Sequence, residues 1–518
     1  MAIHLYAGIY IGTYDVSLKI FEISQKKLRK VEHVRSRLDL AQDSFSRGRI
    51  GYELVEKLCD TLNEFKKIMD GYRVDYYEVY ASAFLKQTQN ELFLLDQIFL
   101  RTGLRVRVLS NSEHRFISYE AVAGKDTFEE MIKTSAAVLD VGGASIQITL
   151  FLDGKLVTTQ HIKAGTVRMQ SLLEKSADDL SLYERQIEEY VNKRLEAFRS
   201  MYMTRQIDTV VLMSEFGPAL VKCIEKKGLN DKLVHSEKFV KFIQKLQKKS
   251  LEEITDELNL PNDKEPLIVP AITIYRSLVS NIKPKDVWVP GTNILDGMVY
   301  DYAYRKRLLK NTHDFEADVI SASMYLSKHY NSYSPHIDAL RSLSLNIYDT
   351  LKKAHGLGKR ERLLLEVATI LHDCGKYVSL ADDTDCAYQI ILSSEIIGLS
   401  HRERQIVAFT VLYNTVSLES YDTVKDKMDQ DTYLIVAKLS AILRVANALD
   451  QSHKQKFQNV RMAVKNREFI VTVDAFYDMS LEQMLFETKT AYFESIYSMK
   501  PVLRQKKVYS MKQEGKES

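Results

Sequence analysis

Residues 135–162 read SAAVLDVGGASIQITLFLDGKLVTTQHI. Three apolar, β-branched runs are separated by Gly142-Gly143 and Asp153-Gly154, dipeptides that end strands and turn hairpins. The first run ends in Asp140, and the two glycines follow within three residues. That order has a chemical use. Without a Cβ, glycine lets backbone N–H groups approach phosphate oxygens. Ser145 adds a donor, and a carboxylate at the strand end can hold a divalent cation or a water on that phosphate. A plain hairpin turn accounts for the same residues, so the segment alone leaves both readings open.

Upstream, LYAGIYIG (5–12) and SLKIFEIS (17–24) alternate around a turn at Gly12-Thr13-Tyr14-Asp15 and predict a hairpin. A helical period follows over 51–70, then a strand at 75–82, a helix at 88–101, a strand at 104–110 and a helix from Ser112 to Ala123. Downstream of 162 the pattern predicts a long charged helix (176–204), a strand (208–214), a lysine-rich helical stretch (236–259), a strand (285–291) and a helix over Asp296–Lys310. Each half opens on a hairpin and continues with crossovers, which suggests two similar α/β lobes. From about Asp314 helical periods dominate until about Asp450; strand-turn-strand returns over 458–475, a helix follows at 480–497, and the end from Lys506 is polar. The expected division is lobe I at 1–125, lobe II at 126–310, a helical domain at 311–455, a small α/β piece at 456–505 and a tail at 506–518.

At 518 residues, roughly 100–200 per domain predicts three or four folding units. The net charge of +3 excludes nothing, so local patches decide about anionic partners. The four cysteines, Cys59, Cys223, Cys374 and Cys386, have no C-x-x-C spacing, which argues against a zinc knuckle or disulfide scaffold. MAIHLYAGIYIG reads as a strand rather than a signal peptide, and no uninterrupted apolar run approaches the ~20 residues of a membrane span. A soluble, cytoplasmic protein without a membrane partner is expected. Lysines at 238, 241, 245, 248 and 249, and Arg305, Lys306, Arg307 and Lys310, suit either a solvated helix face or a polyanion channel. They lack interleaved aromatics, so nucleic acid is not the expected partner.

VLDVGGASIQITLF resembles the DIGGGSTEL element of the exopolyphosphatase and guanosine pentaphosphate phosphohydrolase (Ppx/GppA) family. Other segments resemble that family in the same order: IGTYDVSLKIFEI its N-terminal phosphate hairpin, ASAFLKQTQN its TSA-x-R segment, SNSEHRFISYEAV its SG-x-EEA helix, and HIKAGTVRM its LG-x-VRL strand end. VVLMSEFGPAL resembles its second glycine loop, VPAIT its proline turn and NILDGMVYDYA its closing helix. The resemblance covers residues 5–505. It implies an actin-like (actin/sugar kinase/Hsp70) duplicated two-lobe domain. The implied activity is removal of the terminal phosphate from inorganic polyphosphate, or from guanosine pentaphosphate (pppGpp), with Mg2+ or Mn2+. Asp140 would hold the metal, Gly12, Thr13, Gly142, Gly143, Ser145 and Gly217 would bind phosphate, and Glu113 or His114 would activate water. The family's helical domain also implies a homodimer. Departures from the pattern are Tyr10 for the first aspartate, Leu85 or Lys86 for the arginine, Asn111 for a glycine, His114 for the base glutamate, Ser214 and Pro218 in the second loop, and Leu295 for an arginine. Glu120 is a further carboxylate on the same helix. A binding or regulatory protein that keeps the fold without turnover is the alternative.

A second signal is Leu371-His372-Asp373-Cys374-Gly375-Lys376. Its His-Asp doublet, with His336 upstream and Asn447 and Asp450 downstream, resembles the HD phosphohydrolase superfamily. The implied ligands are His336, His372 and Asp373. Asp382, Asp383 and Asp385 stand where further histidines are usual, and Tyr413-Asn414-Thr415 supplies none. A helical scaffold with a partial metal site is therefore expected, and an HD-type metal-dependent phosphohydrolase is a second alternative.

Overall fold

Strand β1 (His4–Ile11) is the centre of the first sheet, pairing antiparallel with β2 (Asp15–Ser24) and parallel with β4 (Tyr76–Ala81). Outside these lie β3 (Lys27–Arg37), antiparallel to β2, and β5 (Arg107–Val108), parallel to β4, in the order β3-β2-β1-β4-β5. A computed structural model describes residues 4–24, 27–173, 180–225, 233–260, 265–475 and 478–506. The chain divides into two units, Met1–Phe315 and Glu316–Ser518. Helices α1 (Leu40–Arg47), α2 (Tyr52–Tyr72), α3 (Glu91–Thr102), α4 (Asn111–Ala123) and α5 (Phe128–Ile132) complete the first lobe's chain segment.

The second sheet repeats the plan. β6 (Ser135–Val141), β7 (Ile146–Leu152) and β8 (Lys155–Ile162) form an antiparallel meander. β9 (Thr209–Ser214) and β11 (Asp286–Trp288) add in parallel, and β10 (Leu233–His235) closes the edge antiparallel. The order is β10-β11-β9-β6-β7-β8. In both lobes a three-strand meander leads into parallel crossover strands, the duplication expected from element order. Helices α6 (Thr166–Leu173), α7 (Leu180–Tyr202), α8 (Gly217–Ile224), α9 (Ser236–Leu246), α10 (Leu251–Leu258) and α11 (Glu265–Ile282) connect them.

Three features differ from the sequence reading. β3 was not expected, because KLRKVEHVRSR shows no apolar alternation; it is an edge strand whose charged residues stay half-exposed. VPAIT is not a turn, since Pro270 lies inside α11. Ile268, Val269, Ala271, Ile272 and Ile274 around it are buried, and that packing offsets a proline cost of about 3 kcal/mol. Finally, α12 (Ile294–Arg305) returns to the first lobe. Leu295, Met298 and Val299 join Tyr6, Phe21 and Ile117 in one core, and Lys19 Nζ reaches Asp296 Oδ2 at 2.9 Å. The expected start of the 176–204 helix, at 176–179, lies outside the described residues.

The second unit is helical first. It contains most of α13 (Phe315–His329), then α14 (Ser334–Thr350), α15 (Lys352–His355), α16 (Lys359–Leu371), α17 (Asp383–Ser393), α18 (His401–Leu412), α19 (Tyr421–Val424) and α20 (Gln430–Leu449). α20 is the one described helix long and apolar enough to cross a membrane by length and composition, yet it is mostly buried. It packs against α14, α18 and α21 as a core helix. β12 (Phe457–Lys465), β13 (Glu468–Ala475), α21 (Ser480–Tyr497) and β14 (Lys500–Lys506) follow, with β14 parallel to β13. β14 was not expected, and the tail from 507 lies outside the described residues. The helical and C-terminal pieces expected to divide at 455 form one unit.

Candidate active site

The glycine turn and the N-terminal hairpin turn face each other within the first unit. They line one cleft of about 530 Å³, with Tyr10, Gly12, Thr13 and His114 on one wall and Asp140, Gly142, Gly143 and Ser145 on the other. The glycine turn is held from behind. Gly142 N–H donates to Ser145 O (3.0 Å), Thr166 N–H to Gly142 O (3.1 Å) and Arg168 N–H to Gly143 O (3.0 Å). Among the described residues no acceptor meets the N–H of Gly143 or Ala144. Gly143 has to be glycine: a Cβ there would lie 2.2 Å from Thr13 Oγ1 and 2.9 Å from Val167 Cγ2.

Asp140 sits half-buried at the end of β6. Withdrawal from water pushes its carboxyl up to about 6, against the opposing pull of Ser118 and Arg115. His114 is driven the other way, down to about 4, by burial and then by the Arg115 guanidinium, so the imidazole is neutral at pH 7. Tyr10 packs beside it with ring centroids 5.7 Å apart. Burial raises the Tyr10 phenol above its ordinary value, and the Asp140 and Asp15 carboxylates reinforce this against a bond from Ser82.

The carboxylates expected to activate water do not face the cleft. Glu113 is spent capping α4: Ser110 N–H donates to Glu113 Oε2 (2.8 Å), and Glu113 N–H to Ser110 Oγ (3.2 Å). Glu120 is buried against α12, near Asp301 and Arg305, and burial holds its carboxyl protonated well above the usual range. The reason is helical phase. Asn111, His114 and Ser118 line the cleft at i, i+3 and i+7, which places 113 and 120 together on another face. Gly217 is corrected too: its N–H donates to Ser214 Oγ (3.0 Å), so it is not open to phosphate.

The sequence reading singled out no cation in the cleft. Lys163, Arg168 and Arg35 line it. Arg168 Nε donates to Ala144 O (3.0 Å), and its guanidinium covers the Phe45 ring at 4.7 Å. Arg35, on the unexpected β3, pairs with Asp15 of its own lobe and with Glu215 of the other at 3.2 Å. The lysine stretch, by contrast, is a paired helix face: Lys245 and Lys249 hold Glu257, and Lys241 holds Glu237.

Residues 19–306 match the profile of the Ppx/GppA phosphatase family, and residues 322–489 that of Ppx/GppA phosphatase domain III. The chain belongs to the Ppx/GppA phosphatase family. Among solved structures, an exopolyphosphatase-like protein matches at 16% identity over 59% of this chain and all of its own, with a TM-score of 0.52. An exopolyphosphatase from Cytophaga hutchinsonii matches at 17% over 59% of this chain and all of its own, with a TM-score of 0.50. The Aquifex aeolicus Ppx/GppA family member is 18% identical over 60% of this chain and all of its own, at a TM-score of 0.48. The two-lobed unit has the actin-like α/β fold of this Ppx/GppA family.

The His-Asp doublet lies in the second unit. His336, His372 and Asp373 come together there: His336 Nε2 is 3.2 Å from His372 Nε2, and His372 Nε2 is 3.1 Å from Asp373 Oδ1. Lys376 Nζ reaches Asp373 Oδ1 at 2.8 Å. Asp450 joins through His336, whereas His453, which the sequence reading passed over, stacks on the His336 ring at 3.7 Å.

Proposed function

We propose that the cleft binds the terminal phosphates of inorganic polyphosphate or pppGpp and hydrolyses the terminal phosphoanhydride slowly. The carrying observation is the apposition of Gly142–Ser145 with Gly12-Thr13, with Asp140 beside them. The open N–H groups of Gly143 and Ala144 and the charges of Lys163 and Arg168 suit the equatorial oxygens of a phosphoryl group.

Asp140 fits a hard divalent cation. It is a carboxylate on the wall of the cleft, drawn out of water, and magnesium binds through one or two carboxylates together with substrate phosphates and water. Bound there, Mg2+ would neutralise charge on the phosphate oxygens. The chain's own residues do the rest. Neutral His114 accepts a hydrogen bond from the attacking water and orients it. An imidazole whose conjugate acid titrates near 4 removes a proton poorly, so turnover is slow.

The second reading, binding without turnover, is favoured by one observation: neither Glu113 nor Glu120 faces the cleft. Phosphate release from long-chain polyphosphate and from pppGpp with Mg2+ separates the two readings. Release that is lost in Asp140→Ala and kept in His372→Ala supports hydrolysis in the cleft. Calorimetric binding without release under any divalent ion leaves the binding protein.

A further inference from the structure

Helix α3 packs against α2 and is apolar on two sides. Its inner side holds Leu94, Ile98 and Thr102, buried at i, i+4 and i+8. On the outer side Leu92 is 78%, Phe93 76%, Leu100 67% and Phe99 40% exposed. At about 100° per residue, these four side chains and the exposed Asp96 fall within one sector of about 120°. A contiguous apolar patch of this kind marks an interaction surface.

The order of residues along that face selects its occupant. Asp96 stands at the midpoint. Leu92 and Phe93 precede it by four and three residues, and Phe99 and Leu100 follow it by three and four. The face therefore has the same apolar pattern in either direction. A second α3 laid antiparallel places 92 and 93 of each copy over 99 and 100 of the other, a two-fold pair that closes on itself. The ends carry opposite charge. Glu91 lies in the first turn of α3, and beyond the last turn the Arg105 guanidinium covers the Phe99 ring at 4.6 Å. In the antiparallel pair each Glu91 meets Arg105 of the other copy. Within one chain the 12-residue helix, about 18 Å long, keeps the two apart. A lipid surface suits the face less well, because Asp96 would carry its charge into the acyl boundary.

We propose that the outer face of α3 is a self-association surface, on which a second copy of this chain docks antiparallel about a two-fold axis at Asp96. The two Asp96 carboxylates meet on the axis and repel. One helix from each copy is also small beside the ~1,200–2,000 Å² of stable interfaces. Association is therefore weak and concentration-dependent. Any contact made by the second unit is separate, and α3 pairing then doubles whatever assembly that contact builds.

Sedimentation velocity of the full chain from about 1 to 200 μM tests this. The mass should double with concentration, and Leu100→Glu should abolish the doubling. Asp96→Asn should shift it to about ten-fold lower concentration. Circular dichroism verifies that these surface variants fold. Glu91→Arg should weaken association, and adding Arg105→Glu should restore it, a rescue that one chain alone cannot give. Under mild oxidation Asp96→Cys should form a disulfide-linked dimer beyond the wild-type background of Cys223 and Cys386. Glu91→Cys should not, since in the pair it lies about 15 Å from its counterpart. A mass that stays constant in both wild type and Asp96→Asn would overturn the proposal and give the face to a different protein. Cross-linking through residue 91 in place of 96 would overturn it too, by making the pair parallel. So would binding to anionic lipid vesicles, lost in Leu100→Glu, by a chain that does not self-associate.

Discussion

Gly143 and Thr13 meet across the cleft so closely that a single added methyl group would collide with the Thr13 hydroxyl at 2.2 Å. The glycine turn and the N-terminal hairpin turn are packed against each other, and each sets the position of the other.

Gly143→Ala should therefore displace the turn and weaken polyphosphate binding about ten-fold or more. Thr13→Ala in the same chain should recover part of the loss, because it removes the nearer of the two colliding atoms. Isothermal titration calorimetry on both variants checks this. An unchanged affinity in Gly143→Ala would place the phosphate elsewhere.

His114 occupies the position that faces the cleft, while the helix's two glutamates do not. His114→Glu would put a carboxylate where the water has to be activated. Phosphate release should rise about ten-fold or more in that variant, a typical gain for a positioned base. Steady-state release assays with Mg2+ decide it. If release stays flat while binding persists, the cleft lacks more than a base.

Arg35 spans the lobes by pairing with Asp15 and Glu215. Arg35→Met would leave two carboxylates facing an anionic ligand, so affinity should fall. Glu215→Gln removes one competitor for Arg35, so affinity should rise a few-fold and depend more steeply on salt. Titrations at low and high ionic strength measure both effects.

Stability should respond to pH in opposite senses at Asp140 and His114. Asp140 is raised to about 6 from an ordinary 3.8, so the folded state binds the extra proton between those values. Its contribution falls as pH rises through that window. Asp140→Asn should be more stable than the wild type at pH 7–8, by about 1–3 kcal/mol, with the gap closing below pH ~4. His114 is lowered to about 4 from 6.5, so there the unfolded state binds the proton, and stability is lost as pH falls through the window. His33, also pushed down to about 4 by burial and Lys19, acts with the same sign. His114→Gln should therefore shrink the acid sensitivity without abolishing it. Urea melts across pH 4–8 test both variants.

The meander over 135–162, the opening hairpin, the change of character near residue 314 and helix 480–497 were legible because their signals are local. Alternation and turn dipeptides sit within a few residues of one another. Edge strand β3 was hidden because a half-exposed edge needs no apolar face. Pro270 misled because burial of α11 outweighs a local preference.

What the sequence determined by itself is the pair of α/β lobes, the turn at Asp140–Ser145 and the His-Asp doublet, each carried by neighbours along the chain. Tertiary structure alone decided which face of α4 meets the cleft. It turned His114 inward and Glu113 and Glu120 away, because the phase of a helix is set by what packs against it. It alone also brought Arg35 to Glu215, and His336 to His372 and His453. Those contacts join residues far apart in sequence, and no periodicity within any one segment records them.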